Sequence, residues 1–332
     1  MPQLTLETTR GDWVENRHQG WFAVCASNGR VLAESDGAGA QRVFMRSAAK
    51  PFQYLAMAQL AERAGRPLDL SAEEIAVACG SHSGSPEHLA VVETILSRTD
   101  ISHDALACGP DAPLDPQALR AFISSNAEKR PCYHNCSGKH AAMALTCVRC
   151  GWPLSGYHRP EHPLQRGILS ILQTWAGPDA PIDTAPDGCG APTFRLPLAT
   201  GAKLFAWLGQ ETQAQAAREA MTAFPLLVSG AGRIDDALMR VSQGALVSKV
   251  GADGVMGVAR VSADQGLLLK IADGSAQARD FATIHLLARL GWLTPEQVAH
   301  EAISPFATRA RLNSRGEAIG EFHLRDEPAQ RY

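Results

Sequence analysis

The sequence predicts an α+β fold, in which an antiparallel sheet built from the N- and C-terminal segments carries a helical lobe as a central insertion. Three observations predict it. Strand-like runs fill the first 45 residues and return at Ala245. Between Ser47 and about Phe224 the apolar spacing is helical. No Gly-rich fingerprint follows a strand, which argues against a doubly wound nucleotide-binding sheet. The expected division is a sheet-containing lobe of residues 1–45 plus 225–332 and a mainly helical lobe of residues 46–224, with the functional site between them.

The elements follow in order. Trp21–Ala26 and Arg30–Glu34 flank Ser27-Asn28-Gly29, and Asn-Gly favours the turn that closes a hairpin. Val43–Met45 adds a short strand or edge. Phe52, Leu55, Ala56 and Leu60 then share one helical face, with Gly65 near its stop. Ser85-Pro86 and Asp115-Pro116 each place a capping residue before a proline suited to a first helical turn. Leu89, Val92 and Leu96 line the first of those helices. Ser137–Cys150 reads as a helix ended by Gly151, and Leu164, Ile168, Leu172 and Trp175 line another. Ala245–Val250, Val255–Val261 and Leu267–Ile271 form a three-stranded meander, followed by a helix from about Gln277 to Leu290 and one opening at Thr294-Pro295.

Composition narrows the function. The chain has 332 residues, 45% apolar and 20% charged, which suits a folded globular protein. Thirty-one Lys and Arg against 34 Asp and Glu give a net charge of −3. No basic surplus is present to neutralise nucleic acid or hold an anionic membrane. No apolar run approaches the ~18 residues of a membrane span. The polar N-terminus does not read as a signal peptide, which predicts a cytoplasmic chain whose eight scattered cysteines stay reduced. Thiol chemistry or a metal is expected rather than a disulfide framework. A small-molecule partner is the working expectation.

Four constellations can carry chemistry. In Ser47-Ala48-Ala49-Lys50-Pro51, a helix opening at Ser47 would put serine and lysine on one face. A buried lysine beside positive charge can lose its proton and serve as a base for the hydroxyl. Arg46 is positioned to supply that charge. The plainer reading is an N-cap serine and a surface lysine. Ala78-Cys79-Gly80-Ser81-His82-Ser83-Gly84 is a small-residue loop that admits a ligand to the backbone; a simple connection is the alternative. Tyr133-His134-Asn135-Cys136-Ser137-Gly138-Lys139-His140 gathers a thiol, an amine and two imidazoles. Cys136 with His140, or Cys136 with Lys139, stands at helical spacing for a zinc ion, and Cys189 in Asp187-Gly188-Cys189-Gly190 offers a second thiolate. Cys147 and Cys150, near the end of a helix with no matching pair, read as core residues. Finally, Lys249-Val250-Gly251 ends an edge strand from which a lysine can reach a cleft; Lys270 competes for that role.

Taken together, Ser47-Ala48-Ala49-Lys50-Pro51, Cys79-Gly80-Ser81-His82, Asn135-Cys136-Ser137-Gly138-Lys139-His140-Ala141 and Asp187-Gly188-Cys189-Gly190 resemble the rhizobial-type L-asparaginases, the asparaginase II family. The resemblance runs from the N-terminal hairpin to Lys270-Ile271-Ala272-Asp273-Gly274. It implies a fold similar to serine β-lactamases and glutaminases, and hydrolysis of L-asparagine to L-aspartate and ammonia. It also implies two Ser-Lys pairs, Ser47 with Lys50 and Ser81 with Lys249 (Lys270 in reserve), one zinc held by Cys136, Lys139 and Cys189, and a homodimer. His140 then orients its neighbours. Arg46 and Asp187 are assigned to the substrate's α-carboxylate and α-ammonium. Against the β-lactamases themselves, Lys249-Val250-Gly251 lacks the hydroxyl residue of their K-T-G or K-S-G.

The implied mechanism has neutral Lys50 activate Ser47 for attack on the side-chain amide, with Ser81 and Lys249 relaying a proton to the leaving nitrogen. Zinc organises the site rather than generating the nucleophile. Three alternatives stay open: a zinc-dependent amidohydrolase or deaminase using a metal-activated hydroxide, a glutaminase-like amidase, and a non-catalytic amino-acid-binding protein.

Overall fold

A computed structural model describes residues 4–99 and 101–325. The chain forms two compact units, each assembled from more than one stretch of sequence.

The first unit takes residues 4–48, 196–210 and 241–325. Its centre is an eight-stranded sheet. From one edge the strands run Ala310–Leu312, Ala318–Arg325, Leu4–Arg10, Trp13–Cys25, Gln265–Ile271, Val255–Arg260 and Leu246–Gly251, with Val31–Glu34 also paired to Trp13–Cys25. Both terminal segments therefore build one antiparallel sheet, as the hydrophobic pattern predicts. Leu6 faces Leu324 on one side and His18 on the other, and Phe22 faces Leu269. The Asn28-Gly29 turn closes as expected: Gly29 has φ +88, and the Ala26 N–H donates to the Arg30 carbonyl at 2.9 Å.

In the late meander, consecutive residues are buried on both faces rather than alternating. Helix Leu198–Gln210 packs across Gln265–Ile271 and Val255–Arg260, and helix Ala276–Arg289 packs on the same two strands. Glycines make the first of these contacts possible. A Cβ at Gly266 would overlap the Ala206 backbone, and one at Gly257 would overlap the Phe205 ring.

The second unit, residues 49–195 and 211–240, is mainly helical. Helix Ser137–Cys150 runs through its middle with every residue from Ser137 to Cys147 buried. Helices Lys50–Arg63, Ala72–Cys79 and Pro86–Leu96 pack around it. Gly138 permits the tightest of these approaches, because a Cβ there would lie 2.6 Å from the Val77 carbonyl oxygen. Helix ends follow local chemistry. Ser71 and Glu74 form a capping box, and the Asp115 carboxylate accepts from the Gln117 and Ala118 N–H groups. Ser85 stands at the N-cap of Pro86–Leu96, but its hydroxyl turns to Glu87 and His88 instead. Among the described residues, no helix is long and apolar enough to cross a membrane.

Candidate active site

The α-helix opens at Lys50, not at Ser47. Residues Arg46–Ala49 form a 3-10 turn that leads directly into helix Lys50–Arg63, whose first turn holds Pro51. Pro51 suits that position because a helix's first N–H groups have no intrahelical partner. Lys50 is thereby placed at the start of a buried helical segment and is only 1% exposed. Its Nζ donates to the Gly80 carbonyl at 2.6 Å, the Ser81 hydroxyl at 2.9 Å and the Asn135 carbonyl at 3.2 Å.

The Ser81 loop is shaped by close backbone approaches. A Cβ at Gly80 would lie 2.7 Å from the Val228 carbonyl oxygen, and the Ser81 N–H donates to that same oxygen at 2.7 Å. The loop is thus held by main chain, leaving the Ser81 side chain directed to Lys50. Burial pushes the Lys50 amine below its ordinary pKa. Nearby Lys139 pushes in the same direction, and the sulfurs of Cys136 and Cys189 push back.

Those sulfurs belong to a second cluster. Cys136 precedes helix Ser137–Cys150, Lys139 lies in its first turn, and Cys189 sits in a turn where the Asp187 N–H meets Ala191 O at 2.9 Å and the Gly190 N–H meets Asp187 O at 2.8 Å. Gly190 has φ +81, which that turn requires. Lys139 Nζ is 3.1 Å from Cys189 Sγ. Cys136, Lys139 and His140 around it lower the Cys189 pKa. Cys189 and burial raise that of Cys136, whose Sγ donates to the Asn135 Oδ1 at 3.1 Å. Burial opposes charge on Lys139, but the two sulfurs outweigh it and raise its pKa.

His140 is fixed by Tyr157. The Tyr157 oxygen accepts from the Ala107 N–H at 2.9 Å and is hydrogen-bonded to His140 Nδ1 at 2.8 Å. His140 Nε2 is buried with no hydrogen-bond partner among the described residues, and the Cys189 sulfur favours the charged ring, against burial. Burial depresses the ring's pKa to about 4, so it is neutral.

Among the described residues, no three His, Cys, Asp or Glu side chains converge on a metal-binding point, so a metal here needs the lysine. The donor set fits zinc. Two sulfurs and an amine are buried together, and the 3.1 Å between Lys139 Nζ and Cys189 Sγ is within about half an ångström of the ~3.6 Å edge expected from tetrahedral Zn–S and Zn–N bonds. Asp187 is half-buried beside this cluster, and its charge helps raise the Lys139 pKa.

Ser47 and Lys249 lie in the sheet unit. Arg46, just before Ser47, has φ +51, an uncommon conformation for a side chain-bearing residue. It is held by an ion pair to Asp253, at the turn after Leu246–Gly251. Gly251 explains why Lys249-Val250 is followed by a residue without a side chain. A Cβ there would meet the Met45 carbonyl oxygen at 2.5 Å. The segment leading to Ser47 therefore lies against the end of the Lys249 strand. Lys249 is fully buried, and its Nζ donates to the Val250 carbonyl at 2.9 Å. Lys270, part-buried, donates to the Asp253 and Ile271 carbonyls. Cys147 and Cys150 lie apart, with burial raising both thiol pKa values, Cys147 to about 12.

Sequence reasoning did not find the Asn135 carbonyl as a partner of Lys50, Tyr157 as the support of His140, or the bond between His82 and Ser137. The first and last depend on how two loops meet. Only Tyr157, a lone buried aromatic hydroxyl, had a recognisable type.

Comparison with curated proteins returns no match. Among solved structures the chain is similar to a protein from Bacteroides dorei DSM 17855 whose β-lactamase assignment is provisional, at 14% identity, TM-score 0.43, covering 76% of this chain and 84% of that one. It is also similar to a β-lactamase from Mycobacterium bovis, at 16% identity, TM-score 0.40, covering 81% and 94%. The model of the L-asparaginase II family matches residues 6–324, nearly the whole chain. With that match the four motifs and the buried Lys50–Ser81 pair find their place: the chain belongs to the L-asparaginase II family of amidohydrolases.

Proposed function

We propose that this protein hydrolyses L-asparagine to L-aspartate and ammonia through a serine acyl-enzyme. The observation that carries the reading is the buried Lys50 amine, 2.9 Å from the Ser81 hydroxyl and pushed toward its neutral form by burial. A serine hydroxyl needs a base to become a nucleophile, and a lysine serves only when it can give up its proton.

In the proposed sequence Ser47 attacks the side-chain amide carbon and Lys50 takes its proton. Ser81, bound to Lys50 Nζ, passes its proton to the leaving nitrogen and takes one back from Lys50, so that ammonia departs, an aspartyl ester remains and Lys50 is neutral again. Lys50 then removes a proton from water, whose attack on the ester carbonyl breaks the ester bond, and returns that proton to the Ser47 oxygen as aspartate leaves. Lys249 is assigned as the second lysine. Cys136, Lys139 and Cys189 are the proposed zinc ligands, and a bound zinc supplies positive charge that orders the site around Lys50. Lys139 must lose its proton to take that role.

A second assignment, with Ser81 as the acylated residue, is favoured by one specific observation: the hydroxyl that Lys50 holds is that of Ser81. Ammonia release from L-asparagine and L-glutamine by wild type, Ser47→Ala and Ser81→Ala, with peptide mapping of the acid-quenched ester, tests both. An ester on Ser47 and abolished turnover in Ser47→Ala support the proposal. An ester on Ser81 exchanges the two serine roles. Turnover that survives in both variants overturns the serine mechanism, and wild type inactive on both amides overturns the function.

A further inference from the structure

His82 occupies a motif position next to Ser81 that the mechanism does not use. It is fully buried, and every polar contact of its ring has a defined direction. The Gly84 N–H can only donate, so His82 Nδ1 accepts it, at 3.1 Å. The ring proton therefore sits on Nε2, which donates to Ser137 Oγ at 2.8 Å. Ser137 in turn donates its proton to the Cys132 carbonyl at 2.9 Å. Burial, with His88, Lys50, His134 and Arg233 around it, keeps the ring neutral, as this arrangement needs. Its face stacks on His88, with ring centres 5.1 Å apart and planes at 21°.

This chain of bonds joins two segments: loop Gly80–Gly84 on one side, and the Cys132–Ser137 turn on the other. Lys50 bridges the same two segments. Its partners are Gly80 O and Ser81 Oγ from the first, and Asn135 O from the second. The spacing of those three oxygens is thus set by what holds the segments together, and the His82–Ser137 bond is a side-chain link between them.

We propose that His82, through Ser137, is a positioning residue that sets the oxygen cradle of Lys50 and so the approach of Lys50 to Ser81. The inference rests on the proposed function for its kinetic consequence, but the cradle itself can be read without turnover. His82→Asn keeps an acceptor for the Gly84 N–H and loses the reach to Ser137. His82→Gln places an amide N–H near the former Nε2 and keeps the link. Ser137→Ala removes the link from the other side.

The experiment combines melting temperatures, kcat and KM for L-asparagine, and the NMR signal of Lys50 in protein carrying isotope-labelled lysine, assigned with Lys50→Met. Expected for His82→Asn and for Ser137→Ala is a moved Lys50 signal and a kcat lower by about 10- to 100-fold with KM within about twofold, as misplacement of a catalytic group produces. The double variant is no slower than either single one. His82→Gln restores both the signal and, to within about threefold, kcat. An unmoved Lys50 signal in His82→Asn and Ser137→Ala overturns the inference. So do kcat losses that add in the double variant, or that follow melting temperature alike in all three. If wild type does not turn over asparagine, the proposed function fails on its own account, and the Lys50 signal still decides whether the clasp exists.

Discussion

Lys50 Nζ donates to Ser81 Oγ across 2.9 Å, although the two residues are 31 positions apart and the lysine's sequence neighbour among the serines is Ser47. The bond places a buried amine, a hydroxyl and two main-chain carbonyls at one point. The three acceptors match the three N–H bonds of an ammonium, and burial opposes that charge; once the amine is neutral, the two carbonyls hold its N–H bonds and its lone pair is left to the Ser81 hydroxyl. Arginine, which stays charged, cannot replace the lysine.

The pH dependence follows from the lowered Lys50 pKa. Only the neutral amine accepts a proton, so kcat/KM rises as pH rises through that value, and the acid limb lies below the ordinary 10.5. Stability follows the same group. Between the lowered pKa and 10.5 the unfolded chain binds the extra proton, so Lys50 makes unfolding free energy increase with pH in that window. Chemical denaturation across this range shows a flatter profile in Lys50→Met than in wild type.

Metal content is the second expectation. Wild type binds one zinc per chain, and Cys136→Ser, Cys189→Ser and Lys139→Met each lose it while keeping the far-ultraviolet circular dichroism of the fold. Elemental analysis after gel filtration reads this directly. Zinc in Lys139→Met equal to wild type removes the lysine from the ligand set.

Packing supplies the third. Gly138→Ala drives a methyl group against the Val77 side chain and main chain between two buried helices. Overpacking of this kind costs about 1–3 kcal/mol. Urea unfolding should show the loss, with Gly109→Ala as a comparison for a site where a Cβ meets open space but φ is +81. Equal stability of Gly138→Ala and wild type contradicts the packing account.

Local chemistry made much of this fold legible. Asn28-Gly29, Asp115-Pro116 and the glycine-punctuated meander each act within a few residues, and each appears where expected. Other elements were hidden for identifiable reasons. The first half of strand Trp13–Cys25 is polar and largely exposed, so it lacks alternation, and Ala310–Leu312 with Ala318–Arg325 are strands because they pair with the edge at Leu4–Arg10. Helix Leu198–Gln210 belongs with the sheet although the stretches that flank its segment belong to the mainly helical unit, because Gly257 and Gly266 leave room for it there. In the site, residue types named the lysines, thiols and serines. Partnerships such as Lys50 with Ser81 and His82 with Ser137 come from loops distant in sequence and cannot be read from spacing.

The most direct measurement is ammonia release from L-asparagine by wild type, Lys50→Met and Lys50→Arg, each confirmed as folded. The account predicts turnover by wild type and a loss of about 10²- to 10⁴-fold in both variants, the usual contribution of a general base. Turnover in Lys50→Arg close to that of wild type would contradict a deprotonated Lys50 as the centre of the chemistry.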